Sequence, residues 1–140
     1  MLKIVDYNQS LIDKVSALGF EGVCGDYLLE AYNTPCPVLV TASNPHWTFG
    51  GGIDAEFLKQ LPGLCNYKRQ KGGSNERISN ICFTITVNRE LKSDPETIRQ
   101  ALKFAQSTLL EGETLVVCGL GTGIGGLSED EFIDVLKSII

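Results

Sequence analysis

Residues 38–54 read VLVTASNPHWTFGGGID. The stretch opens on three apolar β-formers, turns polar at Thr41, Ser43 and Asn44, crosses Gly50, Gly51 and Gly52, and reaches an acid at Asp54. A near-continuous apolar run bounded by turn residues predicts a strand buried on both faces. Ile53 to Leu61 reads as a helix closed by Pro62-Gly63. Strand, glycines and helix start in that order expose backbone N–H groups beside the positive end of a helix, where a phosphate is favoured. Glycine suits the position because a Cβ would keep the backbone away from a ligand.

The same order recurs further along the chain. Thr114 to Cys118 reads as a buried strand, Gly119 to Gly126 holds a second glycine cluster, and Ser128-Glu-Asp-Glu131 has capping-box spacing ahead of a last helix. That helix places Phe132, Leu136, Ile139 and Ile140 at core positions. Each cluster by itself is read as easily as a tight turn. Two in 140 residues suggest opposite walls of a diphosphate site. Gly121, Gly123 and Gly126 spell G-x-G-x-x-G, but the dinucleotide fingerprint needs another strand and an acid about 20 positions on. Only 14 residues follow Gly126. No Gly-Lys-Ser/Thr follows either cluster, so a Walker A loop is excluded.

The remaining chain supplies the other layers. Leu2 to Val5 predicts a short edge strand, and Leu11, Ile12, Val15 and Leu18 have helical spacing ahead of Gly19. Phe20 to Cys24 reads as a strand ended by Gly25-Asp26, and Tyr27 to Tyr32 as a helical turn. Asn66 to Glu76, polar, basic and glycine-bearing, reads as an exposed loop. Ile81, Phe83, Ile85 and Val87 at period two predict one strand over residues 78–87. Ser93-Asp-Pro-Glu96 has capping-box spacing, and the helix after it puts Ile98, Ala101, Leu102, Ala105 and Leu109 on one face, with Gly112 as its stop. Strands alternating with helices predict an α/β sandwich, with a ligand crevice outside the carboxyl ends of the strands.

Composition narrows the function class. A chain of 140 residues with 43% hydrophobic and 21% charged residues fits one globular domain, residues 1–140. A formal net charge of −5 argues against direct nucleic-acid binding and against an anionic membrane surface. It leaves room for an anionic small molecule held by backbone amides. The five cysteines contain no C-x-x-C pair, so neither a disulfide framework nor a zinc site is expected and a reducing, cytoplasmic setting is. No signal peptide is read at Met1-Leu-Lys-Ile-Val-Asp6, and no apolar run approaches the roughly 20 residues of a membrane helix.

The motifs together carry a family resemblance. Residues 40–54 resemble the macrodomain motif V-N-A-A-N-x-x-L-x-G-G-G-G-V-D without a gap, and Leu120-Gly-Thr-Gly-Ile-Gly-Gly126 is similar to the second macrodomain loop. Gly25-Asp26 stands upstream where the family has G-D-I-T, so the likeness spans nearly the whole chain. It implies a three-layer α/β/α fold around a central mixed sheet, lacking a final strand after the last helix, and an ADP-ribose site. In that site Asp26 would accept from the adenine amino group. Gly50, Gly51, Gly52 and Ile53 would line one side of the diphosphate, and Gly121, Thr122, Gly123, Ile124 and Gly125 the other. Asn44 would reach the distal ribose, and Asp54 matches the acid that positions or activates water near the anomeric carbon. No metal or cofactor is implied. The partner would be ADP-ribose or an ADP-ribosylated substrate, bound by a monomer.

Several positions depart from the pattern or have a plainer reading. Thr41 replaces the first asparagine of the motif, at a ligand-binding position. Phe49 replaces its first glycine, and either stacks on the distal ribose or packs beneath the loop. Asn44 and Asp54 at the family spacing imply a hydrolase of an ADP-ribose derivative; Leu58, where many hydrolytic members have a histidine, and Thr41 favour the alternative, a non-catalytic ADP-ribose-binding module. Without the final strand, adenine is held less firmly or by an aromatic elsewhere. Asp26 is equally readable as a helix cap, and Asp54 as a first-turn acid kept ionised by the helix dipole. His46, the single histidine, reads as an incidental loop residue and Trp47 as a loop anchor. The run from Lys68 to Lys71 reads as a solvated basic face, and Cys118 as core.

Overall fold

The computed structural model describes Met1 to Ile139; Ile140, placed in the core by the helical pattern, lies outside the described residues. Among the described residues six strands form one sheet. They are β1 (Leu2–Asp6), β2 (Glu21–Cys24), β3 (Pro37–Val40), β4 (Glu76–Ile78), β5 (Ile81–Phe83) and β6 (Thr114–Val117). Their spatial order is β2-β1-β6-β3-β5-β4, parallel throughout except for the antiparallel β4–β5 pair.

Alternation along the central strands feeds two cores. Val38, Val40, Leu115 and Val117 point to one face, where they meet α1 (Gln9–Ala17), α5 (Pro95–Ser107) and α6 (Glu129–Ser138). Leu39, Val116 and Val5 point to the other, against α2 (Tyr27–Tyr32), α3 (Gly52–Gln60) and α4 (Pro62–Lys71). The result is a three-layer α/β/α sandwich on a mixed sheet, and no strand follows α6 among the described residues. Burying a side chain such as Val38 or Leu39 stabilises by roughly 1.5–3 kcal/mol, so strands covered on both faces anchor the fold.

Four local expectations are corrected. β1 is not an edge strand: it lies between β2 and β6, with Ile4 beside Gly22 on one side and Val117 on the other. Pro62 opens a helix as well as closing one; at the first position of α4 its missing N–H costs nothing. Residues 66–71 are therefore helical, and the loop shrinks to the turn around Gly72 and Gly73. The single strand over residues 78–87 is a hairpin instead, turning at Ser79-Asn80 with Ser79 at φ +58°. Beyond Phe83 only a bridge between Ser43 and Ile85 continues the pairing. Finally, Asp94 and not Ser93 caps α5, accepting from the Thr97 N–H at 2.9 Å. The capping box ahead of α6 is complete: Ser128 and Glu131 each accept from the other's N–H.

Candidate functional site

The chain leaves β1 for β2 on one side of β6 and then crosses to β3 on the other side. This reversal of strand order opens a crevice at the carboxyl ends of β1, β6 and β3. Tyr27 lines it. β3 and β6 pair as far as Leu39 and Val116. At that end the Val40 N–H donates to the Tyr27 hydroxyl oxygen at 2.8 Å, and that hydroxyl donates on to Val116 O. One buried phenol thus ties α2 to the carboxyl ends of both strands.

At these strand ends lies a cavity of about 990 Å³, at the upper end of the range for small-molecule sites. Residues 50–53 and residues 121–125 both line it. In the first loop Gly51 sits at the N-cap of α3 and provides no side-chain cap, so the opening N–H groups of that helix remain free. In the second loop the N–H groups of Gly121, Gly123, Ile124 and Gly125 make no hydrogen bond within the described chain. The loop is closed on itself by other groups: Leu127 N–H donates to Gly121 O and Gly126 N–H to Gly123 O. No Lys or Arg side chain is among the described residues that line the cavity, whereas Asp6, Asp26, Asp54 and Glu56 are. An anion here would be held by amides alone.

Asp54 lies at the inner wall of the cavity, 4% exposed, where its carboxylate accepts from the Ala42 N–H at 3.2 Å. Burial raises its pKa to about 6, against the smaller opposing pull of the Ser43 hydroxyl and the Ala42 amide. The position in the first turn of α3 therefore does not keep Asp54 at an ordinary carboxylate pKa. Asn44 also lines the cavity. Its side-chain oxygen accepts from the His46 N–H at 3.0 Å and its amide donates to the Thr48 hydroxyl at 2.7 Å. One amide hydrogen and one lone pair are left for a ligand.

At the other end Asp26 caps α2, accepting from the Leu29 N–H at 2.9 Å, and takes the Tyr7 hydroxyl at 2.8 Å. Leu29 and then Tyr7 hold the Asp26 carboxyl below its usual range. Tyr7 itself is 73% exposed, lines the cavity and is fixed at its hydroxyl. Sequence reasoning passes over Tyr7. The signal is its place directly after a buried strand, which the reading of β1 as an edge strand conceals.

Two expected ligand contacts are not at the cavity. Thr41 is fully buried, its hydroxyl accepting from the Thr84 N–H at 3.0 Å. Phe49 is 2% exposed and packs beneath the first loop against Trp47 and Phe83, which selects packing over stacking. Trp47 is the loop anchor, donating its indole N–H to Gly73 O at 3.0 Å. His46 is exposed and off the cavity lining, and Leu58 packs at the edge of the second core. The basic run is not simply a solvated face. Lys68 is 1% exposed and donates to Gly72 O, Ser74 O and Glu76, under the Trp47 ring. Arg69 donates to the carbonyls of Trp47 and Thr48, so α4 holds the first loop in place. Cys118 lines the cavity floor beside Asp6 and Asp54, and burial pushes its thiol far above its usual range. Among the described residues no group of three or more His, Cys, Asp or Glu is placed to hold a metal ion. No protein-family model matches the chain, and no curated protein matches it.

Proposed function

We propose that the chain is a macrodomain-like ADP-ribose-binding domain that hydrolyses an ADP-ribose derivative. The observation that carries this reading is the pair of glycine loops, 50–53 and 121–125, with unengaged N–H groups lining one cavity. The diphosphate lies between them. The base lies at the Tyr7–Asp26 end, its ring against Tyr7 and its amino group on the remaining lone pairs of Asp26. The distal ribose lies toward Asn44.

In this reading Asn44 orients the ribose and a water. Asp54, ionised above its pKa of about 6, accepts the water's proton as oxygen attacks the anomeric carbon and the bond to the leaving group breaks. The loop amides stabilise the charge that develops, because they are fixed before the ligand arrives. ADP-ribosylated protein and ADP-ribose 1″-phosphate present that bond; in O-acetyl-ADP-ribose the ester is on another ribose hydroxyl, and the same water would attack its acyl carbon and release acetate.

A second reading, binding without turnover, is favoured by Leu58. It packs against apolar neighbours and supplies no titratable group. Calorimetric titration with ADP-ribose, AMP and NAD tests the ligand class, and release of ADP-ribose from a modified protein tests turnover. ADP-ribose binding with turnover that Asp54→Ala abolishes supports the hydrolase. Binding with no turnover selects the second reading, and no binding removes both.

A further inference from the structure

Ser93 lies outside the cavity, yet it interlocks with the two glycines that shape the second loop. Its N–H donates to Gly125 O at 2.9 Å, and its hydroxyl donates to Thr86 O. A Cβ on Gly125 would fall 2.2 Å from Ser93 Oγ. A Cβ on Gly121, whose φ is +79°, would fall 2.8 Å from both Ser93 Cβ and Oγ. The Ser93 side chain therefore occupies the space that glycine leaves open. It is short and tethered to Thr86, so it cannot swing aside. Thr86 in turn belongs to the cavity wall. Because Asp94 caps α5, the Ser93 hydroxyl is free for this contact.

We infer that Ser93 is a positioning residue for the phosphate loop. It fixes the amides of residues 121–125 against the wall that holds Thr86, Val87 and Leu91, and so sets ligand affinity without touching the ligand. For its ligand this rests on the ADP-ribose reading above.

The test is a double-mutant cycle on Ser93→Gly and Gly125→Ala, read by ADP-ribose titration, by melting temperature and by amide hydrogen exchange of residues 121–125. Gly125→Ala alone drives a methyl group into Ser93, and affinity falls by about tenfold or more. Ser93→Gly keeps the main-chain bond to Gly125 O but removes the side-chain brace, and weakens binding about threefold, while the amides of residues 121–125 exchange faster and those of β6 keep their protection. Combining the two removes the contact with Ser93 and leaves the methyl group 2.9 Å from Gly121 O, so the double variant recovers only part of the lost affinity, yet binds more tightly than Gly125→Ala. Additive losses, or loop exchange unchanged in Ser93→Gly, overturn the inference. If the unsubstituted protein binds no ADP-ribose, the ADP-ribose reading fails by itself. Hydrogen exchange then still decides whether Ser93 holds the loop.

Discussion

At Asp54 burial pulls against the hydrogen bonds from Ser43 and Ala42, and burial prevails. A carboxyl raised from its ordinary 3.8 to about 6 keeps its proton in the folded chain over a window where the unfolded chain has lost it. Stability therefore falls as pH rises from about 4 to 6, by about 3 kcal/mol in all, and stays reduced above that. Asp54→Asn keeps the acceptor for the Ala42 N–H and never carries charge. It should melt higher than the unsubstituted protein at pH 7, and the difference should vanish below pH 4; a variant less stable at pH 7 would contradict this account. In the proposed hydrolysis the same ionisation supplies the base, so turnover should rise through pH 6 and level off above it. Thr41 and Phe49 carry a different lesson at this scale. Both stand within the motif that identifies the loop, yet their side chains turn into the protein, because a strand end alternates faces and motif spacing alone does not say which face meets the cavity.

Single side chains tie the elements around the site together. Tyr27 comes from the short α2 and bonds both β3 and β6 through its hydroxyl. Tyr27→Phe removes those bonds. Stability should drop by about 1–3 kcal/mol, and ADP-ribose affinity should fall as the inner wall of the cavity loosens; unchanged binding would show that Tyr27 does not shape the cavity. Lys68→Ala removes three hydrogen bonds at the end of α4 and the cation beneath Trp47. The loss should be about 3 kcal/mol, read as a shift of the denaturant midpoint. α4 was hidden in the sequence by its own composition, since a polar helix with one buried face looks like a loop unless Leu61, Leu64, Cys65 and Lys68 are seen to share helical spacing. The hairpin was hidden for the opposite reason. Ile81, Cys82 and Phe83 are all buried, so period two carries no information in a strand covered on both faces, and nothing in Ser79-Asn80 announces a turn as an Asn-Gly pair would. By contrast β3, β6 and the helices that follow the glycine loops were legible, because apolar runs, glycines and caps all point to the same structure there.

Across the whole molecule the sheet order decides what meets at the cavity. Glycine loops about 70 residues apart become facing walls because β3 and β6 are neighbours. Strand–glycine–helix order made each loop readable as a candidate wall of a ligand site. The Tyr7–Asp26 pair was not, since it depends on β1 lying beside β2, a long-range choice that local pattern does not fix. The charge distribution then makes a prediction about binding. The chain carries a formal net charge of −5, and the described cavity lining holds acids and no Lys or Arg. A diphosphate with two negative charges is thus repelled at long range and held at short range by amide dipoles. Salt screens the first and barely touches the second, because the Debye length shrinks from about 10 Å at 0.1 M to about 3 Å at 1 M while the amide contacts are at hydrogen-bond distance. Raising sodium chloride over that range should leave the ADP-ribose dissociation constant within about twofold of its starting value or tighten it, and should speed association. Calorimetry and stopped-flow binding measure both. A tenfold weakening would mean that a side-chain cation carries the diphosphate and that the two loops do not hold it by themselves.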